Sequence, residues 1–96
     1  MRKEHIQPIG DILKEYLKVF RLQSKIDETT LITSWKQVLG PSINSYTRDL
    51  SIRNKILYVS LTSSALRNEL MLMRTRLIKE LNDVVGTDVI EDIKFR

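Results

Sequence analysis

Four basic side chains at helical spacing form the most regular charged pattern in the sequence. They follow one another at offsets of four, seven and eleven residues, as Lys14, Lys18, Arg21 and Lys25. Because an α-helix turns once every 3.6 residues, these offsets place all four on one side of a helix that runs this far. Such a row can follow the phosphates of a nucleic acid, and it is also the composition of a solvated helix face.

A second group of basic and aromatic residues lies on a predicted β-hairpin. Its exposed side would carry Arg48 or Arg53, with Lys55 and Tyr58. A cation beside an aromatic ring on an open sheet face can hold a single-stranded nucleic acid, and the same residues also suit a solvated sheet face. Trp35, the single tryptophan, is predicted to anchor the core, with a role in base stacking as the alternative.

A third group lies on the longest predicted helix, where Arg67 and Arg74 project between two apolar rows. Met71 and Ile78 belong to the second of these rows. The arginines either lay their aliphatic stems over that row or serve as polar anchors of a protein interface. The four residues are therefore the candidate partner-binding surface.

Reactive chemistry has little support in the sequence. Cysteine is absent and His5 is the single histidine, which removes thiol nucleophiles, cysteine zinc sites and disulfides. A catalytic triad or a histidine metal site would require His5 to pack against the body of the domain. The prediction is a binding protein that has no catalytic residues, cofactor or metal. Since no apolar run or signal-like segment is present, we also expect no membrane association and a cytoplasmic location.

Size and charge predict one basic domain. The 96 residues are 42% hydrophobic and 29% charged, which is ordinary for a folded chain with a single core. Sixteen basic residues against twelve acidic ones give a net charge of +4, which favours polyanionic partners. Residues 1–8 are predicted to be a flexible N-terminus, and residues 9–96 a single domain.

Two helices are predicted in the first part of the chain. The first begins at Ile9 and would bury an apolar face, and the second begins at Asp27 as its N-cap and ends at Gly40-Pro41. The buried positions of the first are Ile9, Leu13, Tyr16, Leu17 and Phe20; those of the second are Leu31, Ile32, Trp35, Val38 and Leu39. Residues 42–46 are predicted to form a turn or a single helical turn.

The remainder alternates between strand and helix patterns. Residues 47–53 and 56–61 alternate as two strands, and Asn54 suits the tight turn between them. Ser63-Ser64 caps a helix over residues 65–85 that Gly86 ends, and residues 89–95 form a third strand with Glu91 on its inward side. The order α-α-β-β-α-β predicts an α+β fold, a three-stranded sheet covered on one face by helices. The place of the last strand in the sheet stays open.

Several short segments, in this order and spacing, resemble the DciA-like family over residues 9–96. They are WKQVLG at 35–40, YTR at 46–48, LYVSL at 57–61, SSA at 63–65 with Glu69-Leu70, Leu81-Asn82, Gly86, and IKFR at 93–96. The resemblance implies a fold similar to the K homology (KH) domain. It also implies a role in bacterial chromosome replication, helping to load or operate the replicative helicase through contacts with helicase and DNA.

The sequence lacks one feature of KH domains and two features of some other members of the DciA-like family. It lacks the G-x-x-G loop with which KH domains grip nucleic acid, since Gly10, Gly40 and Gly86 are isolated. It lacks the cysteines of members described with a zinc ribbon. It also ends at Arg96, without the flexible basic tail of longer members, so we expect DNA contact through the domain surface or the N-terminus.

Three functions remain open at this point. The leading one is a replication accessory that binds the helicase and, weakly and with little sequence preference, DNA. The second is a small KH-like module that binds RNA or the ribosome. The third is a protein adaptor whose surplus charge only aids solubility.

Overall fold

The computed structural model describes residues 9–96, so the predicted flexible segment 1–8 and His5 lie outside the described residues. The element order is α1 (Ile9–Leu39), α2 (Pro41–Ser45), β1 (Thr47–Arg53), β2 (Ile56–Leu61), α3 (Ser64–Leu72), α4 (Arg74–Val85) and β3 (Asp92–Phe95). The α+β prediction is therefore confirmed, and the bounds of the two hairpin strands are as expected. The single turn expected after Gly40 is the five-residue helix α2.

The sheet has the order β1-β2-β3, which the sequence left open. β1 and β2 are antiparallel and join through Asn54 and Lys55, which have φ values of 52° and 64°. β3 is parallel to β2, with Leu57 opposite Ile93 and Tyr58 opposite Lys94. Because parallel neighbours need a crossover connection, α3 and α4 carry the chain from the end of β2 back to the start of β3.

The helices cover one face of this sheet, as predicted. Leu57 and Val59 point from β2 into the core, where they meet Leu31 and Trp35 of α1 and Leu81 of α4. Trp35 is fully buried, and its indole Nε1 donates a hydrogen bond to Thr47 Oγ1 at 3.0 Å. Trp35 is therefore a core anchor, and the alternative of a base-stacking platform is excluded.

The predicted break at Asp27 is wrong, because α1 is one helix of 31 residues. The Asp27 carboxylate accepts a hydrogen bond from Gln23 Nε2 at 3.0 Å, one turn back on the same helix. An N-cap would instead accept from backbone N–H groups ahead of it. No glycine or proline occurs between Asp11 and Leu39, so nothing in this segment interrupts the helix.

From Gly10 onward, the N-terminal half of α1 does not bury its apolar face, which corrects a second prediction; the side chain of Ile9 lies outside the described part of the chain. Every side chain from Gly10 to Gln23 is exposed, and Ser24 is the first that is half-buried. We call residues 9–23 the arm and the rest of the domain the body. Leu13, Tyr16, Leu17 and Phe20 continue the side of α1 that carries Leu31 and Trp35, but they lie past the edge of the body. The arm makes the molecule elongated, with dimensions of 68 × 21 × 20 Å.

The helix predicted over residues 65–85 is interrupted at Met73. Ser63 caps α3 as expected, since its Oγ accepts a hydrogen bond from the Leu66 N–H at 3.2 Å. Met73 leaves the helical conformation, and its N–H bonds to the Leu70 carbonyl at 3.0 Å. α3 packs on β2 and β3 whereas α4 packs mainly on α1, so the chain changes direction between them.

β3 starts three residues later than predicted because a side chain from α4 holds the preceding backbone. The buried Asn82 accepts hydrogen bonds from the N–H groups of Val89 and Ile90 at 3.0 and 3.1 Å. Its Nδ2 donates to the Ile90 carbonyl at 2.9 Å. These bonds keep Val89 and Ile90 out of the sheet while both side chains enter the core. Glu91, expected to face inward, is exposed.

Candidate binding surfaces

α1 carries the basic row without interruption, with three of the four cations on the arm and Lys25 just after it. All four cations of the row are exposed, and they lie within about 60° of the helix circumference. We call Lys14, Lys18, Arg21 and Lys25 the basic stripe. Eleven residues of helix span about 16 Å. That length corresponds to about five phosphates of one DNA strand at the helical rise of 3.4 Å.

The face of the sheet without helices carries a compact group of cations around Tyr58. The guanidinium carbon of Arg53 lies 5.3 Å from the centre of the Tyr58 ring, and that of Arg96 lies 4.9 Å from it. Lys94, on β3, stands directly opposite Tyr58 in the parallel register. The backbone of Arg96 extends the sheet through a bond from its N–H to the Val59 carbonyl at 2.8 Å. We call Arg53, Tyr58, Lys94 and Arg96 the open-face cluster.

Two other predicted hairpin residues lie apart from that cluster. Lys55 is at the turn between the strands, where it lines a groove of about 450 Å³ at the junction of arm and body. Arg48 is exposed at a bulge in β1, between Thr47 and Asp49, at the opposite end of the strand. The eight predicted nucleic-acid contacts are therefore spread over α1, the open sheet face and two separate ends of the hairpin.

Lys94 and Arg96 were missed as candidate residues. Their alternation with Ile93 and Phe95 indicated that they face outward. Their proximity to Tyr58 follows from β3 lying beside β2, which the sequence pattern does not determine.

The candidate partner surface on α3 and α4 is divided by the break at Met73. Arg74 Nε lies 3.5 Å from Asp92 Oδ1, and Ile78 packs partly against the core. Arg67 Nε is buried without a hydrogen-bond partner. Met71 is exposed, next to Leu72, which is 89% exposed. The break thus presents exposed apolar side chains, and Leu72 is the most exposed of them. Leu72 was not among the predicted partner residues.

The charged pairs of α4 are local and surface-exposed. Arg76 and Lys79 reach Glu80 and Asp83 one turn ahead, each at 2.9 Å, as expected of i,i+4 pairs that support the helix. The hydrogen bond to Asp83 raises the pKa of Lys79 above its ordinary value.

Metal-binding and membrane-spanning features are not found in the described residues. Over 9–96, acidic side chains and histidine do not gather into a group of three that could hold an ion. In the same range, no helix combines the length and the apolar character that crossing a bilayer demands.

Comparison with known proteins places this architecture in a family. The family model described as "Dna[CI] antecedent, DciA" matches residues 8–95. Among curated proteins, a UPF0232 protein of Rhodococcus jostii (strain RHA1) is 27% identical over 89 residues, and one of Mycobacterium ulcerans (strain Agy99) is 25% identical. Each match covers 93% of this chain and 47% or 48% of the relative, so the chain spans about half the length of those relatives. The match to the family model covers nearly the whole chain, and the chain therefore belongs to the DciA family.

Proposed function

We propose that this chain is a non-enzymatic accessory of DNA replication that binds the replicative helicase and, weakly, DNA. The family membership supports a role in replication. The observation that carries the DNA part is the basic stripe, four exposed cations aligned on α1, of which the first three lie on the arm. Contacts of this kind neutralise phosphates and carry no base readout, so the binding has little sequence preference.

Salt dependence tests the DNA contact. If the four cations of the stripe each meet a phosphate, the logarithm of the affinity for single-stranded DNA falls with the logarithm of salt at a slope of about −2.8. Between 50 and 200 mM salt this slope means a loss of about fifty-fold. Fluorescence anisotropy with a labelled oligonucleotide measures both quantities.

Paired variants locate the contact. Replacing Lys14 and Lys18 by alanine is expected to halve the slope, because two of the four phosphate contacts are lost. The matched control replaces Arg76 and Lys79, which removes the same charge from α4 and leaves the arm intact. An affinity independent of salt, or an equal effect of both double variants, would contradict DNA binding by the stripe.

RNA binding is the second candidate, and the open-face cluster is the observation in its favour. Aromatic and guanidinium groups on an open sheet face suit unpaired bases as well as phosphates. Preference for RNA requires contacts with 2′-hydroxyl groups. One titration series with single-stranded DNA, duplex DNA and structured RNA separates the two functions, since a preference for RNA would overturn the assignment to DNA.

Binding of the helicase is proposed for the surface around the break at Met73. The predicted partner residues Arg67, Met71, Arg74 and Ile78 lie on the two helices that flank it, and Leu72 projects between them. Exposed apolar side chains next to arginines are typical of protein interfaces. Capture of the replicative helicase from the same cell by the tagged chain tests the contact. A protein adaptor without DNA affinity would capture the helicase and fail the anisotropy measurement.

A further inference from the structure

The arm exposes an apolar surface much larger than isolated surface residues explain. Six of its large apolar side chains, which are between 45% and 65% exposed, form this surface: Ile12, Leu13, Tyr16, Leu17, Val19 and Phe20. Leu22, which is 58% exposed, lies on another side of the helix. Five of the six, all except Leu17, cover about 120° of the helix opposite the basic stripe. Leu17 borders the stripe, next to Lys14 and Arg21. Contiguous apolar surfaces of this kind mark interaction sites.

The position of the body decides which occupant fits this surface. Leu13, Tyr16 and Phe20 point to the side of α1 on which the body is packed. Arm and body therefore form a step, about 10 Å high, the distance between packed helix layers. A flat lipid surface cannot reach the floor of this step, because the body stands in the way. One helix fills it, since an α-helix with its side chains is about 10–12 Å across.

We propose that the arm of a second copy of this chain occupies the step, with the two arms antiparallel about a two-fold axis near Tyr16. In this arrangement each arm lies in the step of the other copy, and the two bodies stand at opposite ends. Tyr16 meets Tyr16 of the second copy, and Phe20 meets its Ile12. The basic stripes face outward on both sides of the pair. The inference concerns self-association and does not depend on the proposed function.

Charge at the junction of arm and body supports this orientation. The tip of each arm comes to the groove next to Phe20 in the other copy, which is lined by Asp27, Glu28 and Asp88 with a single cation, Lys55. The N-terminal end of a helix carries a partial positive charge, and Asp11, the acidic residue of the first turn, lies about 140° around the helix from Tyr16 and so faces away from the contact. Three carboxylates against one ammonium therefore favour the approach of this end. In a parallel arrangement the two bodies would lie at the same end of the pair, and the tips of the arms would lie far from this groove.

The available area predicts a weak dimer. With roughly 100 Å² exposed on each of the six side chains, about 600 Å² per copy is available for burial. Stable interfaces bury about 800 Å² per partner, so we expect dissociation constants in the micromolar range.

Sedimentation velocity on the whole chain, without nucleic acid, tests the dimer. Protein concentrations from about 1 to about 200 µM cover dissociation constants in the micromolar range. Over this range the average molecular mass should rise from 11.3 kDa towards twice that value. Tyr16→Glu places two carboxylates together at the axis and should weaken association at least tenfold. Thr75→Glu, an exposed position on α4, is the matched control and should leave association unchanged. Circular dichroism and the fluorescence of buried Trp35 check that the variants fold.

Crosslinking tests the antiparallel geometry. Because the chain has no cysteine, a single introduced thiol is unique. With a short thiol-to-thiol crosslinker, Tyr16→Cys should form covalent dimers and Lys18→Cys, on the outward stripe, should not. The proposal is overturned by a monomer throughout the range, by dimerisation of Tyr16→Glu like the parent, or by equal crosslinking of both cysteine variants. It is also overturned if the monomer binds anionic phospholipid vesicles through Tyr16. If the chain forms the dimer but does not bind DNA, the proposed function is contradicted and the dimer is not.

Discussion

Replacing Asn82 by alanine is expected to destabilise the domain by about 3 kcal/mol, since three hydrogen bonds of about 1 kcal/mol each are lost. The side chain joins the end of α4 to the backbone before β3 through bonds of 2.9 to 3.1 Å. Alanine leaves the N–H and the carbonyl of Ile90 without the partner that Asn82 provides, and the Val89 N–H keeps only its bond to the Thr87 carbonyl at 3.0 Å. Val89 and Ile90 are buried, so water can replace the lost bonds only if the segment moves.

Urea denaturation followed by the fluorescence of Trp35 measures this loss. For a domain of this size the free energy of unfolding falls by about 1 kcal/mol or slightly more per molar urea, so the midpoint should drop by about 2 to 3 M. Asn68→Ala, at an exposed position on α3, is the control and should shift the midpoint little. A loss below about 1 kcal/mol for Asn82→Ala would refute the view that this side chain determines where β3 begins.

Two further substitutions test the end of α4 and the break before it. Gly86 ends α4 with φ of 96°, and a Cβ there would meet no atom within 4 Å. Gly86→Ala should therefore lower the free energy of unfolding through backbone strain alone, by about 1 to 2 kcal/mol, and an unchanged urea midpoint would contradict this. Leu72→Asp should leave stability within about 0.5 kcal/mol, because the side chain is 89% exposed. The same variant should abolish capture of the helicase, and undiminished capture would remove the break at Met73 from the proposed interface.

Local patterns were sufficient for the hairpin and for the core of the body. Strict alternation around Leu57 and Val59 gave both strands, and Asn54 marked the turn between them. Trp35 was expected in the core and is there. These features are determined by residues that are neighbours in the sequence, so the local sequence pattern is sufficient to predict them.

The errors concern features that depend on distant parts of the chain. Leu13 and Tyr16 repeat with the same period as Leu31 and Trp35, yet the first pair is exposed and the second buried. Periodicity identifies an apolar side and does not show what covers it. The start of β3 likewise depends on Asn82, which reaches across several residues to form its bonds.

The candidate sites also include one feature that the local sequence predicts and one that depends on distant parts of the chain. The spacing of Lys14, Lys18 and Arg21 predicted one exposed row, because all three lie on one helix. The grouping of Arg96 with Tyr58 required the strand order, which only the folded sheet provides.

The two outer strands of the sheet have a consequence for aggregation. β1 is interrupted by the bulge at Arg48, and β3 is four residues long. Strands that are bulged, charged or short are poor templates for the growth of fibrils, because few consecutive backbone groups remain free to bond with another chain. Copies of the domain at high concentration can therefore lie close together without merging their sheets.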